Sequence, residues 1–119
     1  MRLMTIDERK EFLREELNRI VKVLKEAYDP EKIILFGSLA EDKVHEWSDI
    51  DLLIIKETDK RPIDRCIEIA KLVKPRLGID LFVYTPEEYL TILKEGYSFF
   101  TNILKNSKIL YEKRDRRVA

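Results

Sequence analysis

The stretch LFGSLAEDKVHEWSDIDLLII, Leu35 to Ile55, decides how this chain is read. One apolar run closes at Gly37-Ser38, a polar connection follows, and Asp49 and Asp51 then flank a single isoleucine at the head of a second apolar run. Side chains alternate along a strand, so the two aspartates point to one face with their carboxylates close together. Bare carboxylates at that spacing repel, and one keeps its proton unless a cation comes between them. A third acid, Asp80, takes the second position of the next apolar segment, IDLFVY. If the two segments are neighbouring strands, all three acids converge on one patch. Oxygen-only clusters suit Mg2+ or Mn2+, and two such ions together are a device for in-line nucleotidyl transfer. At Gly37-Ser38, a strand that turns into a helix offers backbone N–H groups and a hydroxyl to an anion. The glycine lets a phosphate approach the backbone closely. It is not a Walker loop, since the later glycine and the Lys-Ser/Thr pair are absent.

The flanks supply the remaining elements. Thr5-Ile6-Asp7-Glu8 reads as a capping box, and Leu13, Leu17, Ile20, Leu24 and Tyr28 then recur at helical spacing until Pro30. KIILF (Lys32 to Phe36) and IDLLII (Ile50 to Ile55) read as strands, with a helical turn opening the polar segment between them. Pro62 opens a helix with an expected apolar stripe of Ile63, Ile67, Ala70 and Val73, and Cys66 lies among them as a buried structural thiol. Ile79 to Tyr84 is a third strand. Thr85-Pro86-Glu87-Glu88 starts a helix that ends at Gly96. A further helix holds Phe99, Phe100, Ile103 and Leu104, which read as core, and Asn106 closes it. KILY at Lys108 to Tyr111 reads as an edge strand. The tail from Lys113, with Arg114, Arg116 and Arg117, reads as frayed and solvated. Trp47 is expected to pack over the sheet and His45 to stand exposed in the loop.

At 119 residues the chain fits one domain, with no room for a second core. The 23 basic and 23 acidic residues balance, so no net field draws the protein to nucleic acid or anionic membrane. One cysteine and one histidine exclude a zinc site of the usual kind and any internal disulfide. The reduced cysteine, a mean hydropathy of −0.33 and the lack of a spanning apolar run point to the cytoplasm.

The segment Gly37 to Ile55 resembles the GSxARGxxxxxSDxDL signature of nucleotidyltransferases of the DNA polymerase beta type, through Gly37, Ser38, Ala40, Ser48, Asp49, Asp51 and Leu52. The small size and element order are similar to the minimal nucleotidyltransferases, the MntA-like antitoxins, which are paired with a HEPN-domain toxin. The resemblance implies the nucleotidyltransferase fold, an α/β (α+β) domain whose small mixed sheet has helices packed on one side and an open side for metals and ATP. It implies that Asp49 and Asp51 bridge two Mg2+ ions, with Mn2+ as a substitute. Asp80 would help hold the ion that activates the attacking hydroxyl, or accept its proton. Gly37 and Ser38 would grip the terminal phosphates, with Ser48 bracing the loop. Members of this kind transfer AMP from ATP to a tyrosine of the toxin and silence its ribonuclease.

One departure stands out. Where the signature has Arg-Gly, this chain has Glu41-Asp42, and two acids repel a triphosphate that arginine would welcome. Lys43 is the nearby replacement, a point charge rather than a fork. Two other readings therefore remain open: an antitoxin or regulatory subunit that neutralises its partner by contact alone, and a nucleotidyltransferase for small hydroxyl compounds. The chain leaves no length for an acceptor-binding domain, which favours a protein acceptor. A homodimer and a hetero-oligomer with the toxin both fit.

Overall fold

The structure is a computed structural model in which residues 4–113 are described. The elements follow in the order α1 (Ile6–Val23), a π-helical turn (Leu24–Tyr28), β1 (Lys32–Phe36), α2 (Gly37–Ala40), β2 (Ile50–Ile55), α3 (Pro62–Val73), β3 (Ile79–Tyr84), α4 (Pro86–Glu95), α5 (Ser98–Lys105) and β4 (Lys108–Glu112). The expected capping boxes form at both places: Thr5 with Glu8, and Thr85 with Glu88. The π-turn that ends the first helix has no sequence signal, and Asp29 closes it in the left-handed region. Strands β1, β2 and β3 start and end where the apolar runs do.

The sheet order is β3-β2-β1-β4, with β2 and β3 parallel and the other two pairs antiparallel. This is the mixed sheet of an α+β domain. On one face, Leu13, Leu17 and Ile20 of α1 and Ile69 and Val73 of α3 cover Ile33, Leu35, Ile50, Leu52 and Ile54. Ile50, Leu52 and Ile54 are fully buried, each contributing roughly 1.5–3 kcal/mol of apolar burial. Because strand side chains alternate, burying these three sends Asp51 to the other face.

The opposite face is not left wholly open. Tyr89 of α4 and Phe100, Ile103 and Leu104 of α5 pack on Ile34, Phe36, Leu53 and Ile55, leaving one end of that face free. Phe99 is a correction, since it stands 56% exposed rather than in the core. The expected stripe on α3 is also rotated: Ile63 and Ile67 are exposed, while Arg65, Ile69 and Val73 are buried. Arg65 is drawn inward by Val83 O at 3.1 Å, Lys60 O at 2.8 Å and Glu88 Oε1 at 2.6 Å, and a buried charge met on all sides outcompetes two isoleucines for the inner position.

Lys113 is pinned rather than frayed, with its Nζ 2.9 Å from Asp29 Oδ1. Arg114, Arg116 and Arg117 lie outside the described residues. Among the described residues, no helix is long and apolar enough to cross a membrane.

Candidate active site

The free end of the second face is where β1 ends and β2 and β3 begin. Register places Phe36 beside Asp51 and Asp51 beside Asp80, so two of the expected acids sit directly across from one another. A side-chain hydrogen bond with Asp80 favours the protonated form of Asp51. Burial, that bond and the charges of Asp80 and Asp49 push Asp51 up to about 7. Gly37, with φ +77°, passes so close that a Cβ there would collide with the Asp51 carboxylate. The glycine therefore serves two needs, a left-handed turn and room for an acid.

Asp49 lies slightly apart. Its Oδ1 faces Gly78, where an added Cβ would stand 2.5 Å away, and Arg9 Nη2 at 3.7 Å. Among the described residues, no three carboxyl, histidine or cysteine side chains form a finished metal cage. The donor set still suits a hard divalent ion: oxygen ligands only, acids close enough that Asp80 and Asp49 raise the pKa of Asp51, and two glycines that clear the space around the carboxylates. Asp51 and Asp80 could hold such an ion, and Asp49 could join them by turning from Arg9.

Ser48 is almost fully buried and braces the loop, accepting hydrogen bonds from Ser38 Oγ at 2.9 Å and His45 N at 2.8 Å. The Ser38 hydroxyl, expected at the phosphates, is thus engaged with Ser48. Lys43 is exposed, its Nζ 3.9 Å from Glu41. His45 is exposed as expected and accepts from Trp47 N at 3.2 Å. Trp47 corrects an expectation: its ring does not pack on the sheet and is 75% exposed.

The Glu41-Asp42 departure looks different in three dimensions. Asp42 adopts φ 57°, the left-handed conformation that suits the signature's glycine and that aspartate tolerates better than most residues. Its carboxylate is held by Lys10 and lies 3.9 Å from Arg14, both on α1. Lys10, ahead of Arg14, lowers the pKa of Asp42. Glu41 accepts from Asn106 Nδ2 at 3.3 Å.

Two residues in this site escaped the sequence reading. Gly78 reads only as the stop before a strand, with no sign that it faces an acid, and Arg9 lies on a helix forty positions upstream, outside the motif. Only the packing of α1 against the loop before β2 brings Arg9 in. It donates from Nε at 3.2 Å and Nη2 at 2.8 Å to Ser48 O.

The family model "Polymerase beta, Nucleotidyltransferase" matches residues 18–116, and the chain belongs to this family. Its relatives narrow the class. Two proteins of Methanocaldococcus jannaschii, each named "Putative protein adenylyltransferase", are similar to it. One is 33% identical over 80% of this chain and 94% of its own length. The other is 36% identical over 70% and 80%. In fold it is similar to a nucleotidyltransferase structure from Sulfolobus solfataricus, named as putative (TM-score 0.60, 19% identity, 87% of this chain and 84% of that one). It is also similar to a chain of a toxin–antitoxin structure with AMP-PNP (TM-score 0.54, 22% identity, 82% and 73%).

Proposed function

We propose that the protein is a protein adenylyltransferase that moves AMP from ATP onto a tyrosine hydroxyl of a HEPN-type toxin, and so acts as its antitoxin. The observation that carries this reading is the cross-strand pair Asp51–Asp80 with Gly37 pressed against Asp51. Evolution has little reason to pair two acids on a sheet unless cations meet them. The relatives named for protein adenylyltransfer support a protein acceptor, and the toxin–antitoxin fold neighbour is consistent with a toxin in that role.

Asp51, Asp80 and a turned Asp49 would hold two Mg2+ ions. Bound there, such ions neutralise phosphate charge and favour the ionised form of the attacking hydroxyl. The chain's own part is to orient and to move a proton. Gly37 leaves the backbone bare where the phosphates approach, and Ser48 keeps the loop from shifting. The acceptor oxygen bonds to the α-phosphorus, the bond to the bridging oxygen breaks, and pyrophosphate leaves with that electron pair. Asp80, the exposed member of the pair, takes the hydroxyl proton.

The test is incubation with α-labelled ATP, Mg2+ and the candidate toxin, beside an Asp49→Asn/Asp51→Asn double variant. A labelled toxin that disappears with the double variant supports the proposal. Unlabelled toxin that is nevertheless bound and silenced refutes chemistry and leaves neutralisation by contact.

A further inference from the structure

We propose that Arg9 is the cation that grips the nucleotide phosphates in this site, standing in for the arginine that the family signature carries where this chain has Glu41. The inference rests on the nucleotide-site reading above. Two divalent ions do not neutralise three carboxylates and a triphosphate together, so a site of this kind needs a further cation close to the acids. Lys10 and Arg14 are taken up by Asp42, and Lys43 projects into solvent with 76% of its side chain exposed, beside Glu41. Arg9 differs from all three. Its side chain is 21% exposed and touches Asp49 itself.

The geometry of its two contacts is unequal, and the difference suggests how it works. The guanidinium is fastened to Ser48 O by two hydrogen bonds of 2.8 and 3.2 Å, whereas its approach to Asp49 Oδ1 is a loose 3.7 Å. When Asp49 turns to a cation, Arg9 loses only the loose contact. It remains fixed on Ser48, whose hydroxyl is in turn bonded to Ser38 Oγ at 2.9 Å. A planar fork held on one side by a carbonyl presents its other N–H groups in a set direction, which is how arginine meets phosphate oxygens. The motif's missing charge has thus moved from the loop after α2 to the first turns of α1. The same helix also neutralises Asp42, through Lys10 and Arg14.

Calorimetric titration with Mg-ATP and with Mg-AMP separates this role from a structural one. The comparison uses the wild-type chain, Arg9→Ala and Arg9→Lys. Arg9→Ala is expected to weaken ATP about 10–100-fold while changing AMP about threefold or less, because the lost contact is to the outer phosphates. Arg9→Lys should recover only part of the ATP affinity, being a point charge without the fork. If Arg9→Ala does not fold, Arg9→Gln keeps an amide donor for Ser48 O without the charge, and the same selective loss of ATP is expected. Equal losses for ATP and AMP, or none, overturn the proposal. A wild-type chain that binds neither nucleotide overturns the nucleotide site itself, and Arg9's role with it.

Discussion

Replacing Asp51 by asparagine should make the metal-free protein more stable while abolishing its response to metal and nucleotide. Burial, Asp80 and Asp49 push Asp51 up to about 7, against an ordinary value of 3.8. Between those values the folded chain binds more protons than the unfolded one, so stability falls as pH rises through that window. Above pH 7 the whole penalty is present, and below about pH 4 none of it is. At about 1.4 kcal/mol per pH unit the gap corresponds to about 4 kcal/mol, but Asp51 is only partly buried and solvent screening reduces this to about 1–2 kcal/mol. Asparagine keeps a donor for Asp80 and removes the charge, so it mimics the protonated acid at every pH. In EDTA at pH 8, chemical denaturation should find Asp51→Asn more stable by about 1–2 kcal/mol, a rise in melting temperature of roughly 3–10 °C. The advantage should shrink at pH 5 and vanish near pH 4. With Mg-ATP added, the wild type should gain stability and the variant should not. An Asp51→Asn protein that is less stable than wild type in EDTA at pH 8 would refute the reasoning, because the acids would then be satisfied without a cation.

Three other substitutions probe the frame around the site. Gly78→Ala places a methyl against Asp49 Oδ1, so Mg2+ affinity read by Mn2+ competition should fall at least about tenfold while the fold survives. Tyr28→Phe removes a buried hydroxyl without a hydrogen-bond partner among the described residues, whose pKa burial drives up to about 12. Its melting temperature should stay level or rise, since the lost group was unpaired. Glu16→Gln should cost about 2–4 kcal/mol in urea denaturation. That carboxylate is buried, pairs with Arg19 Nε at 2.6 Å and accepts from Arg76 N at 2.6 Å, tying α1 to the turn before β3.

The sequence made the strands legible because each apolar run is bounded by a clear stop: Gly37 after Phe36, the acids before Leu52, Gly78 before Ile79. The meeting of Asp51 with Asp80 was legible too, given that the segments pair. What the sequence hid depends on choices between packing partners. Ile63 and Ile67 have the spacing of a buried stripe, yet Arg65 claims the interior because Glu88 and two carbonyls meet its charge. The turn of Asp49 toward Arg9 needs two segments forty residues apart, which no local pattern joins. Asp42 reads as a bare charge in the sequence because its partners Lys10 and Arg14 lie on α1, some thirty residues away.

The most direct test of the account is a crystal grown with Mn2+ and a non-hydrolysable ATP analogue, read by the anomalous signal of manganese. The account predicts manganese between Asp51 and Asp80, Asp49 turned toward it, and the phosphates against the backbone at Gly37. Nucleotide bound elsewhere, or manganese absent from the acids while the Asp51–Asp80 hydrogen bond persists, would contradict it.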